Sequence, residues 1–204
     1  MSTRDSGIAN FFIRILIFLG PALFIWSIAR APLSVPVGEA ASWLVHLLFP
    51  DWANGVELEG TQLTLVTNLQ FMHESGQRAI LTPSVEVLNY TYGLPLLVAL
   101  LIASNAPGLW WKAPLGALIL IPFQLWGIAF AWLVAIAIHA QDATQAITGY
   151  GPAQQNFFAT AYQLGTLIMP TLVPIIVWIL FERDFANNLV KAKHSESTSP
   201  EAEQ

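Results

Sequence analysis

The chain has 204 residues, of which 55% are hydrophobic and 10% charged, with a net charge of −5, no cysteine and a mean hydropathy of +0.57. A soluble domain usually carries about 25% charged residues, so there are too few here to coat a globule of this length, and much of the surface must face lipid. The absence of cysteine excludes disulfides, thiolate metal sites and cysteine nucleophiles, and no basic patch points to nucleic acid.

A spanning helix needs about 20 mostly apolar residues. The first candidate runs from Phe11 to about Ala29, with Arg14 near its start. A cleavable leader would also open on a charge and an apolar run, but its apolar core is typically only about 7–15 residues long. Arg30 and Pro32 also spoil Ala29-Arg30-Ala31 as a cleavage site, so this segment is expected to stay as an anchor.

Ala31 to about Tyr90 is the only sizeable loop. Pro32 and Pro36 predict an extended entry. Val37 to Phe49 then predicts an amphipathic helix, with Ala41, Leu44, Val45 and Leu48 at helical spacing. It either lies in the headgroup layer through Trp43 and Phe49 or packs on the helix bundle. After Asp51 the period changes to two. Val56, Leu58, Leu63, Leu65 and Thr67 alternate with polar neighbours around Glu59-Gly60-Thr61, which predicts a hairpin. A further strand is expected at Ala79–Leu88, where Pro83 makes it an edge or breaks it in two. So small a cap must rest on the helices beneath it.

The second candidate span runs from about Tyr92 to Ser104 and reaches full length only if Val87–Thr91 lead into it. The third is Ala113–Ile138, and the fourth is Ala161–Phe181, where Glu182-Arg183-Asp184 stops the apolar run. Residues 186–204 are polar and predicted to be a disordered cytoplasmic tail. Arg4, Arg14, Lys112, Arg183, Lys191 and Lys193 fall on one side, against Arg30 and Arg78 on the other. The positive-inside rule then puts both termini in the cytoplasm, and Trp26, Trp110, Trp111, Trp132 and Trp178 mark interfacial belts. The predicted fold class is membrane all-α: about four transmembrane helices with a small extracytoplasmic β-hairpin cap and an interfacial helix. Residues 1–185 form one integral domain, with the extracytoplasmic insert at 31–90.

Residues able to carry chemistry are sparse. Glu57 and Glu59 share a strand's solvent face, where charge is expected without any role. His46 reads as an interfacial polar residue and His73-Glu74 as a loop pair. His139 ends the third span three residues before Asp142, a pair able to hold a carboxylate or a proton, or simply a polar helix end meeting water. Within the spans, Gln124 and Gln163 are expected to bond between helices, and Arg14 can snorkel to the cytoplasmic surface. No phosphate loop or metal cluster is visible, and neither a metal nor a cofactor is expected.

The order of parts carries a resemblance. Val85-Glu86-Val87 runs into Leu88-Asn89-Tyr90-Thr91-Tyr92-Gly93-Leu94, and a helix follows at once. This resembles the active-site entrance of the exosortase/archaeosortase family of membrane transpeptidases, where a valine on a strand leads, four residues later, into Cys-Ser-Gly-Leu at the head of a span. Val87 takes the valine's place, Gly93 and Leu94 match, and Thr91 stands where the cysteine belongs. The family's Asn-x-x-Arg helix corresponds to Ile121–Gly127, which lacks the arginine. Its late His or Arg corresponds to Ala161–Gly165, which has neither. A threonine hydroxyl is a poor nucleophile without a dedicated base, and the missing arginine would have stabilised developing negative charge. The chain therefore resembles a catalytically silent relative, similar to the exosortase H-associated membrane proteins. The resemblance implies an accessory, non-catalytic protein of a sorting system in the bacterial inner membrane, with lipid and a transpeptidase or its sorting-signal substrate as partners. Tyr90, Thr91, Tyr92, Gln124, His139 and Tyr162 are the candidate binding groove. On the residues alone, Gly93 would permit a tight strand-to-helix join and Thr91 would cap the helix. A membrane enzyme using Thr91 or His139, and a transport subunit, are the alternatives.

Overall fold

The computed structural model describes residues 5–72, 78–140, 145 and 147–189. Helix α1 (Asp5–Ile28) bends at Ala29 into α2 (Arg30–Leu48), and five short strands follow: β1 (Ala53–Glu59), β2 (Gln62–Thr67), β3 (Gln70–Met72), β4 (Arg78–Ile80) and β5 (Ser84–Glu86). A single turn, α3 (Leu88–Thr91), leads into α4 (Gly93–Ala103). Helix α5 (Leu109–Val134) ends in a π-helical turn (Ala135–His139). Helices α6 (Pro152–Gln163) and α7 (Met169–Phe181) are joined through a second π-helical turn (Leu164–Ile168). The runs Ile8–Ile28, Leu109–Ile138 and Pro152–Phe181 are long and apolar enough to cross a bilayer, while Leu88–Ala103 is shorter.

The period-two segment forms the expected hairpin, with Leu58 paired to Leu63 and Glu59 to Gln62. Gly60, at φ +64°, supplies the left-handed residue its turn requires. Leu63, Leu65 and Thr67 are buried while Glu57 and Glu59 are exposed, as the alternation requires. Pro83 does break the last strand: β4 pairs with β3, and β5 adds to β2 as the third strand of the order β1-β2-β5. A proline lacks the N–H that a continuous ladder would need there.

Helix α2 differs from expectation at its start. Pro32 and Pro36 lie within it, because a proline in a first turn gives up an N–H that has no intrahelical partner anyway. Its buried stripe is Ser34, Val37, Gly38, Ala41 and Val45, seated on the sheet and on α5, whereas Trp43, Leu47 and Leu48 stay exposed. It therefore has one packed face and one free apolar face. The last helix also begins earlier than Ala161, at Pro152. Gly151 accepts the chain's turn into it and Gln154 Oε1 takes the Gly151 N–H at 2.7 Å, so polar residues open a helix that the apolar pattern hides.

Two cores result. One lies under the sheet, where Val45, Leu63, Leu65, Val87, Ile128 and Trp132 meet. The other joins α1, α4, α5 and α7 through Phe11, Leu97, Leu101, Leu120, Val177 and Trp178. Trp132, 2% exposed, and Trp178 are therefore core residues and not belt residues, while Trp110, 83% exposed, keeps a belt position. Gln163 is exposed and bridges no helices. The chain continues as helix over residues 183–189, past the expected boundary at 185, because Phe185, Ala186 and Leu189 bury against the second core.

Polar groups tie the helix ends beside that second core together. Arg14 donates to the Asn105 side chain and, at 3.5 Å, to the Ile102 carbonyl, instead of reaching freely for the surface. Trp178 Nε1 donates to Ser104 Oγ at 3.1 Å. Lys112, at the start of α5, forms a buried ion pair with Glu182, just past α7.

Candidate functional site

The strand-to-helix join positions the predicted site. Val87 N–H donates to Thr61 O at 2.9 Å, pinning the end of β5 to the hairpin turn, and α3 starts at the next residue. Gly93 then allows α4 to touch α7: a Cβ there would collide with the Pro170 carbonyl and lie 2.7 Å from Pro174 Cγ. Glycine is required at this position by close approach, since its backbone is ordinary helix.

Thr91 is 5% exposed and closes α3. Its hydroxyl donates to the Val87 carbonyl at 3.2 Å, one turn back. It does not cap α4, whose first turn receives no side-chain hydrogen bond. The capping expectation fails because Thr91 already has helical backbone in the preceding turn, where back-bonding to the i−4 carbonyl is the available geometry.

The remaining predicted residues fall on two sides of the α3–α5 contact. Thr91 and Gln124 line a cleft of about 260 Å³ together with Trp26 of α1, Val37 of α2, Leu94 of α4 and Ile121 of α5. Gln124 is 8% exposed, and its amide has no hydrogen-bond partner among the described residues. The Trp26 indole N–H is likewise buried and unpartnered. Tyr90 turns the other way: its ring covers Gly127, and its phenol lies close enough to that of Tyr162 for the two to interact. Tyr92 Oη and Thr171 Oγ1 are 3.5 Å apart on that same side. A tighter crevice, lined by Tyr90, Gly93, Gln124, Met169 and Pro170, separates the two sides. His139 closes the π-helical turn of α5. Its predicted partner Asp142, and the His73-Glu74 pair, lie outside the described residues.

The chemistry available is limited. Thr91 shares its cleft with Gln124 and Trp26 as the other polar side chains, and neither can take a proton at neutral pH. Among the described residues, no group of three or more His, Asp or Glu lies together in a way that could hold a metal ion. The unpaired donors Gln124 and Trp26 suit an acceptor-bearing ligand better than a bond-making step.

Sequence reasoning placed Thr91 and Gln124 correctly on adjoining helices but missed Trp26, which it read as an interfacial anchor. It also missed Gly127 and Gly165, where α5 and the second π-helical turn cross so closely that a Cβ on Gly165 would sit 2.7 Å from the Gly127 Cα. Small residues inside long apolar runs were the available signal.

Long apolar helices, glycine-mediated crossings and polar groups gathered at helix ends define a helical membrane protein. Within that class, the chain belongs to the exosortase H-associated membrane protein family, whose model matches residues 5–185. No curated protein and no solved structure matches it.

Proposed function

We propose that the protein is a non-catalytic accessory subunit of an exosortase-type protein-sorting system in the bacterial inner membrane. Its partner is the membrane transpeptidase or a substrate bearing the sorting signal. The observation that carries the non-catalytic reading is the state of Thr91. It occupies the nucleophile's place in the resemblance, yet its hydroxyl is engaged by Val87 O and its cleft offers no base. Acyl transfer needs an activated nucleophile, and nothing around Thr91 activates it.

Four crossings fit this role, with Leu88–Ala103 as the short one, both termini cytoplasmic and the sheet outside. Partner contact falls on the tyrosine side, where Tyr92, Tyr162 and the exposed Leu164, Leu167 and Leu172 present an apolar face with phenol and hydroxyl groups among it. The Thr91–Gln124 cleft opens on the opposite side.

Thr91→Val keeps the side chain's shape and removes the hydroxyl. Processing of a sorting-signal substrate in cells is expected to continue at the normal rate with this variant, and the tagged protein is expected to co-purify with a membrane transpeptidase. Loss of processing with normal amounts of T91V in the membrane would instead identify Thr91 as a nucleophile. Failure to recover any transpeptidase or sorting-signal protein would remove the accessory reading.

A further inference from the structure

Helix α1 packs along α4 and leans on α2 but has no comparable seam with α5. The cleft of about 260 Å³ is the wedge left between them. Its mouth is edged by Leu118 and Leu33, both exposed, and the neighbouring outward residues Ile25 and Ile119 are exposed and apolar as well. The wedge therefore opens toward hydrocarbon.

Two observations say what fills it. The first is size. A helix about 10–12 Å across displaces roughly 400–600 Å³ per turn, so a partner helix cannot enter, whereas a single unbranched chain can. The second is the pair of unmet donors. The Gln124 amide, more than nine-tenths buried, and the Trp26 indole N–H face the same apolar cleft without a partner. An unpaired polar group away from water is costly, and an indole can only donate. The complementary molecule has a long apolar chain with a carbonyl at one end. An extended peptide fits less well, because it would bring an N–H and a C=O with every residue into a cleft with few groups to answer them.

We propose that this cleft holds one fatty-acyl chain of a membrane glycerophospholipid, with its ester carbonyl accepting hydrogen bonds from Gln124 and Trp26. The chain then serves as the missing packing between α1 and α5, and Thr91 Cγ2 and Leu94 supply the wall opposite Trp26. This inference is independent of the accessory role, since the lipid occupies the side away from the tyrosine face.

The test uses the full-length protein in vesicles of phosphatidylethanolamine and phosphatidylglycerol containing a phospholipid with a diazirine on one acyl chain. Photolysis is expected to mark the segments around Trp26, Leu94 and Leu118–Gln124 well above the rest of the chain. Native mass spectrometry is expected to retain one phospholipid per protein after mild delipidation. Gln124→Leu and, separately, Trp26→Phe should each lower that retention about fivefold, the factor expected for one lost hydrogen bond. Ala117→Trp, which fills the wedge, should abolish it while the protein stays monodisperse. Three results would overturn the proposal: labelling spread evenly over outward residues such as Leu16 and Leu167, which is annular lipid only; unchanged retention in folded W26F and Q124L; or a partner peptide crosslinked in the cleft in place of lipid. W26F replaces a half-buried residue conservatively, so misfolding of one variant leaves the other to decide.

Discussion

Lys112 and Glu182 are separated by 70 positions in the sequence, and each read there only as a charge at a span end. In the fold both are buried and paired, with the Lys112 ammonium also 5.6 Å from the centroid of the Trp111 ring. Removing one member of a buried pair leaves the other uncompensated, which costs about 3–5 kcal/mol, whereas replacing both by apolar residues is often close to neutral. Lys112→Met and Glu182→Met are therefore each expected to lower the melting temperature of the detergent-solubilised protein sharply, and the double variant to recover most of the loss. Equal, additive losses in the double variant would mean that the two groups are not coupled. Gln124 illustrates the converse. Its position between two cavities was legible from its place in an apolar run, but the absence of a helix-bridging partner was not, because that depends on α1 standing away from α5.

At the level of elements, period and punctuation carried most of the information. The β1–β2 hairpin followed from strict alternation around a glycine turn, and the split at Pro83 followed from a missing donor. Helix starts were harder. Proline near the head of α2 and glutamine near the head of α6 both look like loop residues, yet first turns tolerate exactly such residues, since their N–H groups have no partner one turn back. Helix crossings were invisible too, because two glycines 38 positions apart meet only once the chain has folded. Substituting Gly165 by alanine would place a Cβ 2.7 Å from the Gly127 backbone, which cannot rotate aside, so overpacking of about 1–3 kcal/mol is expected. Gly20→Ala is the control: a Cβ there meets nothing within 4 Å. A thermal-shift series should show a clear drop for G165A and almost none for G20A. Equal behaviour of the two would mean that α5 and the second π-helical turn are not in contact in the membrane.

For the whole molecule, the open quantity is the number of crossings. At 1.5 Å per residue, Leu88–Ala103 reaches about 24 Å against a hydrocarbon core of about 30 Å, so length alone leaves it short. Side-chain ties point to a crossing all the same. Arg14 near the head of α1 binds Asn105 at the foot of α4, Trp178 of α7 binds Ser104, and Lys112 of α5 binds Glu182. The head of α1, the foot of α4, the head of α5 and the foot of α7 therefore share one level. The opposite end of α4 lies under the sheet, where Tyr90 belongs to the sheet's own core. A segment running from the sheet to the level of Arg14 covers the same depth as α1, and the bilayer can thin by a few ångströms to meet it. The chain has no cysteine, so single cysteines report topology without a background. Glu57→Cys, Pro107→Cys and Asp184→Cys are all at exposed positions. With four crossings, a membrane-impermeant maleimide applied to spheroplasts should label E57C at once, and P107C and D184C only after the membrane is opened. If Leu88–Ala103 stayed in one leaflet, the later crossings would reverse, and all three cysteines would label from outside.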